Sequence, residues 1–141
     1  MREIKFRAWQ KDYGGYMFYS HKSKGLGYLE FNSDSSTVIG EDDGDQRYEA
    51  SKMPLMQYTG LKDKNGVEIY EGDLLLDKSQ TGVDLIPKKV IWSDHRPRNG
   101  WIAPFVKPHW AHDLQPINLG LAIDSGYEII GNIYQNPELL K

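Results

Sequence analysis

The chain has 141 residues and a formal net charge of −3 at pH 7, with 39% hydrophobic and 26% charged residues. These values fit one domain with a buried core, and they exclude a wholly disordered chain and a generally basic nucleic-acid coat. The chain has no cysteine, which excludes a disulfide framework, a thiol nucleophile and a Cys-ligated zinc site.

The first half of the chain predicts a β-hairpin followed by a long polar region. Glycine and proline recur throughout, which favours short strands and turns over long helices. Residues 4–8 alternate between apolar and charged side chains, which is typical of a strand. A turn at 12–15 and a returning strand at 16–19 complete the predicted hairpin, and 26–31 is predicted to be a third strand.

Residues 32–47 are rich in Ser, Asp, Glu and Gly and are therefore predicted to be a loop. Within this loop lies a short apolar island at 38–39. The acidic stretch at 41–45 is expected to be exposed and mobile. A helical turn is predicted at 50–53, where Pro54 follows.

From residue 55 onward the sequence predicts short strands separated by tight turns. One turn is predicted at 62–66, because Asn65 and Gly66 tolerate the positive φ that hairpin turns require. A second is predicted at 71–73, and residues 136–138 predict the start of a last helix of about one turn. The predicted strands of this half lie at 55–58, 67–69, 74–76, 90–92, 101–106 and 127–130.

Three stretches of the sequence match a known family pattern. They are residues 2–9 (REIKFRAW), 55–73 (LMQYTGLKDKNGVEIYEGD) and 127–140 (YEIIGNIYQNPELL), called the signature segments below. In this order they resemble the YopX family, which comprises small proteins from phages and prophages of bacteria. The resemblance implies a β-rich fold with a small SH3-like barrel in its C-terminal part and a location in the bacterial cytoplasm. It implies no known activity and supplies no catalytic or ligand-binding residues.

We therefore predict a mainly β fold with minor helix, as a single domain over residues 1–141. An N-terminal hairpin region with the acidic loop is expected over 1–53, and a barrel-like part over 54–141. The polar and glycine residues of the signature segments are expected to form turns and corners. In 71–73, the glycine permits a sharp bend and the aspartate bonds to nearby backbone amides.

A metal site is the first enzymatic alternative. His109 and His112 would share a helix face beside Asp113, and Asp94 and His95 would complete the site. No zinc-binding motif such as H-E-x-x-H occurs, however, and loops are rich in surface histidines. We predict no metal and no cofactor.

Paired carboxylates are the second enzymatic alternative. Glu68, Glu71 and Asp73 cluster near one turn and would act as an acid and a base only if burial raised the pKa of one of them. Exposed turn carboxylates are far commoner. We therefore predict no catalytic residue.

The segment 86–112 carries five basic residues, one acidic residue and four aromatic residues. Basic groups interleaved with aromatic rings are what a single-stranded nucleic-acid groove requires. In the alternative interpretation, Trp92 and Trp101 fill the barrel core and the arginines lie on a solvated loop. The predicted nucleic-acid contacts are Lys88, Lys89, Trp92, Arg96, Arg98 and Trp101.

Residues 30–49 have the opposite charge, with seven acidic residues and one basic residue. An acidic loop of one protomer would pair with the basic segment of another, and small β-domains offer edge strands, so the sequence leaves a homo-oligomer open. No apolar run is long enough to span a membrane and no signal peptide is expected, which agrees with a cytoplasmic location. The main hypothesis is a non-catalytic phage accessory or interaction protein. A nucleic-acid-binding module and a metal-dependent enzyme are the alternatives.

Overall fold

The computed structural model describes most of the chain and divides it into two compact units, Met1–Tyr58 and Thr59–Lys141. We call them unit 1 and unit 2. The described residues are 3–11, 15–20, 28–31, 38–41, 47–49, 54–79, 86–94, 100–106 and 116–140.

The described part of unit 1 is a sheet with the strand order β5-β4-β3-β2-β1-β6. Neighbouring strands are antiparallel except for the parallel pair β2 and β3. The last strand, β6, continues into unit 2. The strands are β1 (Phe6–Gln10), β2 (Tyr16–Tyr19), β3 (Tyr28–Phe31), β4 (Val38–Glu41), β5 (Arg47–Glu49) and β6 (Leu55–Lys62).

The predicted N-terminal hairpin is confirmed. Ala8 of β1 pairs with Phe18 of β2, and both side chains are fully buried together with Met56 of β6. Arg7, on the opposite face of β1 from Ala8, is also buried. The alternation of apolar and charged residues therefore predicts the strand correctly, but it does not show which face of β1 is buried, because Arg7 and Ala8 are both buried.

The prediction of a loop over residues 32–47 is wrong for its described residues. The apolar island lies in β4, and β5 pairs with it from Ile39 to Glu41. Backbone pairing with a neighbouring strand outweighs the weak strand propensity of such polar residues. The turn at 12–14, most of the acidic stretch (42–45) and the predicted helical turn at 50–53 lie outside the described residues.

The described part of unit 2 contains short antiparallel strands and two short helical elements. One sheet has the order β13-β8-β9 and another the order β10-β11-β12, while β7 lies beside β6. The elements are β7 (Glu68–Tyr70), β8 (Asp73–Leu76), β9 (Lys88–Lys89), β10 (Ile91–Ser93), β11 (Gly100–Ala103), β12 (Ile117–Asn118), α1 (Leu119–Asp124), β13 (Glu128–Asn132) and a 3₁₀ helix (Pro137–Leu140).

The core of unit 2 combines residues from the strands and from α1. These buried side chains exclude water from the middle of the unit and provide its main apolar burial. The core residues are Ile69, Leu75, Val90, Trp101, Ala103 and Leu119. The mainly β fold predicted from the sequence is confirmed, and the SH3-like barrel stays a prediction.

The helix α1 has no counterpart in the sequence prediction. Its six residues are too few to display a helical period, although Leu119 and Ala122 are buried and Ile123 packs against the core. Its start is fixed by Asn118, whose Oδ1 accepts hydrogen bonds from the N–H groups of Gly120 and Leu121. The final 3₁₀ helix confirms the predicted single turn that begins with Pro137.

Candidate interaction surface

The structure distributes the predicted nucleic-acid contacts over three strands of unit 2. Lys88 and Lys89 form β9, Trp92 is the middle residue of β10, and Trp101 lies in β11. The two remaining candidates, Arg96 and Arg98, lie outside the described residues.

Trp92 and Trp101 form a directly opposed pair across β10 and β11. Their ring centroids are 5.2 Å apart and the ring planes meet at 78°, an edge-to-face arrangement. Trp101 is 8% exposed and belongs to the core, whereas Trp92 is 50% exposed. The interpretation that both rings fill the core is therefore right for Trp101 and wrong for Trp92. β10 is the outermost strand of its sheet, which leaves one side of Trp92 in solvent.

Lys88 is buried, with only 3% of its surface exposed. Its ammonium lies 3.2 Å from the centroid of the Phe105 ring and 5.6 Å from that of Tyr127, so two aromatic faces surround the charge. Burial disfavours the charged form and lowers the pKa of Lys88 to about 8. In this arrangement Lys88 contacts rings, and the exposed part of the candidate surface comes from Trp92 with the half-buried Lys89.

Asp63, in the second signature segment, organises the turn between β6 and β7. Its Oδ1 accepts hydrogen bonds from the N–H groups of Asn65 (2.8 Å) and Val67 (3.0 Å), and its Oδ2 accepts one from Ile129 of β13 (3.1 Å). The positive φ of 79° at Gly66 confirms the predicted turn. One buried carboxylate thus joins the second and third signature segments.

Glu128 of β13 is the centre of an ion-pair cluster on the same turn. Its carboxylate lies 2.6 Å from the Lys78 ammonium and 3.3 Å from the Lys64 ammonium, and it accepts a hydrogen bond from Asn65 Nδ2 at 3.0 Å. The bonds from Lys78, Asn65 and Lys64 outweigh desolvation and lower the pKa of Glu128 to about 2. Sequence reasoning missed this cluster because Glu128 lies 50 to 64 positions further along the chain than its three partners.

The predicted corner at Gly72 and Asp73 is confirmed. Gly72 has a φ of 83°, and its N–H donates to the carbonyl of Val90. Asp73 is 1% exposed, and its Oδ2 accepts a hydrogen bond from Tyr70 N–H at 2.8 Å. Glu68 accepts a hydrogen bond from the Tyr70 hydroxyl at 3.1 Å. The hydrogen bond from Tyr70 N–H to Asp73 thus stabilises the corner itself.

Asn132 performs a similar task at the end of β13. Its Oδ1 accepts hydrogen bonds from the N–H groups of Tyr134 (3.0 Å) and Gln135 (2.9 Å). Its own N–H donates to Asn136 Oδ1 at 3.1 Å. These bonds close the turn that leads into the 3₁₀ helix, as expected for a structural role.

The described residues bring together no group of three or more His, Asp or Glu side chains suited to a metal ion. His95, His109, His112 and Asp113, considered for a metal site from the sequence, lie outside the described residues. No helix in the described part of the chain is both long and apolar enough to cross a membrane.

Comparison with known proteins decides the family. The model of the YopX protein family matches residues 5–141. The chain belongs to the YopX family. A crystal structure of protein EF1440 from Enterococcus faecalis is similar to this YopX-family chain over 100% of both chains, with 26% sequence identity and a TM-score of 0.61. No curated protein matches the chain.

The family match spans all of the contacts described above. Within it, the signature segments hold the polar residues that shape turns, and the exposed Trp92 lies between the second and third segments. Sequence reasoning also missed Tyr127 and Phe105 as the aromatic neighbours of Lys88. The basic and aromatic composition of 86–112 identified this region as a candidate, but it did not show that Lys88 is the buried lysine.

Proposed function

We propose that this YopX-family chain is a non-catalytic interaction protein of a phage or prophage and that it acts in the cytoplasm of the bacterial host. The family resemblance supports the phage origin. The non-catalytic role is supported by Asp63, Asp73 and Asn132, which accept backbone N–H groups of turns in the signature segments. Polar side chains that bond to turn backbone in this way stabilise the fold. A partner would therefore bind to exposed side chains elsewhere on the surface.

The observation that carries the proposed interaction role is the exposure of Trp92. Trp92 is 50% exposed. A fully packed tryptophan buries about 150–250 Å², so much apolar surface of this ring stays in contact with water. The edge-to-face contact with the buried Trp101 fixes the position of the ring. Fixed, exposed tryptophans are typical of residues that dominate binding energy at interfaces. Trp92 would thus present a contact point that needs little ordering on binding.

The experiment is affinity purification of the tagged full chain from infected bacterial cells, followed by mass spectrometry and nucleic-acid sequencing. We expect a specific partner with the wild type that is lost with Trp92→Ala. Leu121→Ala is the matched control, because Leu121 is 58% exposed on α1 and should leave capture unchanged. Equal recovery of the same molecules with all three chains would contradict a role for Trp92.

Single-stranded nucleic acid is the second candidate partner, favoured by the exposed ring in a basic segment. Trp92 would stack on one base, Lys89, Arg96 and Arg98 would contact phosphates, and Trp101 would hold Trp92 in place. The buried Lys88 would support this surface from below.

Fluorescence anisotropy with a labelled single-stranded oligonucleotide tests this candidate. The logarithm of the binding constant should fall with the logarithm of salt concentration, with a slope of about −0.7 for each phosphate neutralised. Arg96→Ala with Arg98→Ala should weaken binding and flatten that slope, whereas Trp92→Ala should cost about 1–3 kcal/mol through lost stacking. Salt-independent binding, or none, would remove nucleic acid as a partner.

A further inference from the structure

The turn between β6 and β7 contains an asparagine followed directly by a glycine. Asn65 and Gly66 are both exposed, so water reaches the turn. Asparagine before glycine is the pair of residues most prone to spontaneous deamidation, because glycine has no side chain to hinder the attack of its backbone nitrogen on the asparagine amide. The position is therefore chemically reactive in its own right.

The reaction needs water and no enzyme, cofactor or oxidant. The backbone nitrogen of Gly66 gives up its proton to water and forms a bond to Cγ of Asn65. The bond between Cγ and Nδ2 breaks, and Nδ2 leaves as ammonia. The resulting five-membered succinimide then takes up one water molecule and opens to either aspartate or isoaspartate. The neutral amide becomes a carboxylate, so the turn gains one negative charge.

The structure holds both reacting nitrogens in hydrogen bonds. The N–H of Gly66, which must lose its proton, donates to the Asp63 carbonyl at 3.0 Å. Nδ2 of Asn65, which must leave, donates to Oε2 of Glu128 at 3.0 Å. A hydrogen bond to a charged acceptor is stronger than one between neutral groups. The reaction can therefore begin only after the turn opens locally and the bond to Glu128 breaks.

Glu128 is itself firmly positioned. It is 7% exposed, and its carboxylate is held by the ammonium groups of Lys78 and Lys64. Deamidation of Asn65 would replace the amide donor with a second carboxylate, so that two like charges would face each other. Ile129, the next residue of β13, donates its N–H to Asp63 of the same turn at 3.1 Å. Repulsion at Glu128 would thus strain the join between the second and third signature segments.

We propose that Asn65 is a site of spontaneous deamidation, that its hydrogen bond to Glu128 restrains the reaction in the folded chain, and that the product weakens the join between this turn and β13. The chain thereby contains a slow and irreversible chemical change that limits how long this part of the fold stays intact.

Peptide mapping by mass spectrometry of the purified full chain, incubated at neutral pH, tests the restraint. Isoaspartate at position 65, detected with an isoaspartyl methyltransferase, identifies the succinimide route. It should form about tenfold faster in the urea-unfolded chain and in Glu128→Ala than in the folded wild type, because a hydrogen bond to a charged acceptor no longer has to break. Asn99, which also precedes a glycine, is scored on its own peptide.

Lys78→Ala is the matched control for Glu128→Ala. It removes the ion pair at Oε1 of Glu128 but leaves Oε2, the acceptor of Asn65, in place, so the rate should stay close to that of the wild type. Circular dichroism checks that the variants are folded. If Glu128→Ala does not fold, Glu128→Gln replaces it, and its neutral acceptor should give an intermediate rate. Equal rates in the folded wild type and the folded Glu128 variant would overturn the restraint.

Two substitutions of Asn65 test the consequence of the reaction. Asn65→Asp copies the product, whereas Asn65→Ala removes the donor to Glu128 without adding a charge. Asn65→Asp should have the lower urea midpoint of the two at neutral pH, and high salt should narrow the difference by screening the repulsion. Equal midpoints would overturn the proposed weakening. Absence of isoaspartate at position 65 from both the folded and the unfolded chain would overturn the site itself.

Discussion

At the scale of single residues, Lys88 is the clearest departure from what its residue type predicts. A lysine in a basic segment is ordinarily a surface charge, and no pattern in the sequence distinguishes Lys88 from Lys89. In the fold, the ammonium of Lys88 is enclosed by the rings of Phe105 and Tyr127. Because those rings come from positions 17 and 39 residues further along the chain, only the tertiary structure reveals the contact.

Lys88 makes the stability of the protein depend on pH in the alkaline range. The pKa of Lys88 is about 8 in the fold, whereas the ordinary pKa of a lysine is 10.5, so between these values the unfolded chain binds more protons. The free energy of unfolding should therefore rise with pH from about 8, and Lys88→Met should remove this rise. Urea denaturation at a series of pH values up to about 9.5 measures it, with Lys89→Met as control.

The pH range ends at about 9.5 so that the titration of Tyr127 does not contribute to the measured stability. Burial, followed by the charge of Asp77, raises the pKa of Tyr127, so the contribution of this phenol to stability falls only as pH rises above its ordinary value of 10. If the free energy of unfolding has the same slope against pH in the wild type and in Lys88→Met below pH 9.5, the pH dependence does not come from Lys88.

Glu128 has the opposite dependence, in the acidic range. Its pKa is lowered from 4.5 to about 2 by hydrogen bonds from Lys78, Asn65 and Lys64, so the fold favours the carboxylate. Its contribution is complete above pH 4.5 and is lost as pH falls towards 2. Glu128→Gln should therefore be less stable than the wild type at pH 7 and approach it near pH 2. Thermal unfolding at both pH values is the measurement, and Glu138→Gln, at an exposed position, is the control.

At the scale of elements, the turns were the most predictable part of the chain. Gly66 and Gly72 were assigned to turns because glycine readily adopts positive φ, and both do so. β5 and α1 were missed because short elements depend on their neighbours: β5 on pairing with β4, and α1 on burying Leu119 and Ala122. Trp92 was misplaced because composition does not show which strand lies at the margin of a sheet.

The turn after β13 depends on close packing between Gly131 and Asn136. A Cβ on residue 131 would lie against Oδ1 and Cγ of Asn136, whose Oδ1 accepts the N–H of Asn132. Gly131→Ala should displace that side chain and destabilise the protein by about 1–3 kcal/mol, the cost of an unpaired buried polar group.

A double-mutant cycle isolates the cause of this loss. An Asn136→Ala background removes Oδ1 and Cγ and leaves only the Cβ of residue 136, 3.1 Å from the added methyl group, so adding Gly131→Ala should cost much less than it does in the wild type. Chemical denaturation of the four chains gives the coupling energy. If the losses in stability from Gly131→Ala and Asn136→Ala simply add, the effect of Gly131→Ala does not come from its contact with Asn136.

At the scale of the whole molecule, stability depends on a modest set of buried apolar residues. Leu75 is fully buried in the core of unit 2, beside Val90 and Trp101. Leu75→Ala should destabilise the protein by about 2–5 kcal/mol, because it loses apolar burial and leaves a cavity. Leu121→Ala, on the exposed side of α1, should change stability by no more than about 0.5 kcal/mol. Urea denaturation of both variants tests the difference, and a comparable effect of the two would contradict this core.

The hydrogen bonds around β13 have a consequence for solubility. β13 is the outermost strand of its sheet, yet the N–H of Ile129 donates to Asp63 and the N–H of Asn132 donates to Asn136. An approaching strand from another molecule finds these two donors already satisfied, and it would have to displace a buried carboxylate to reach one of them. This margin of the sheet is therefore shielded from uncontrolled aggregation by side chains of the protein's own turns.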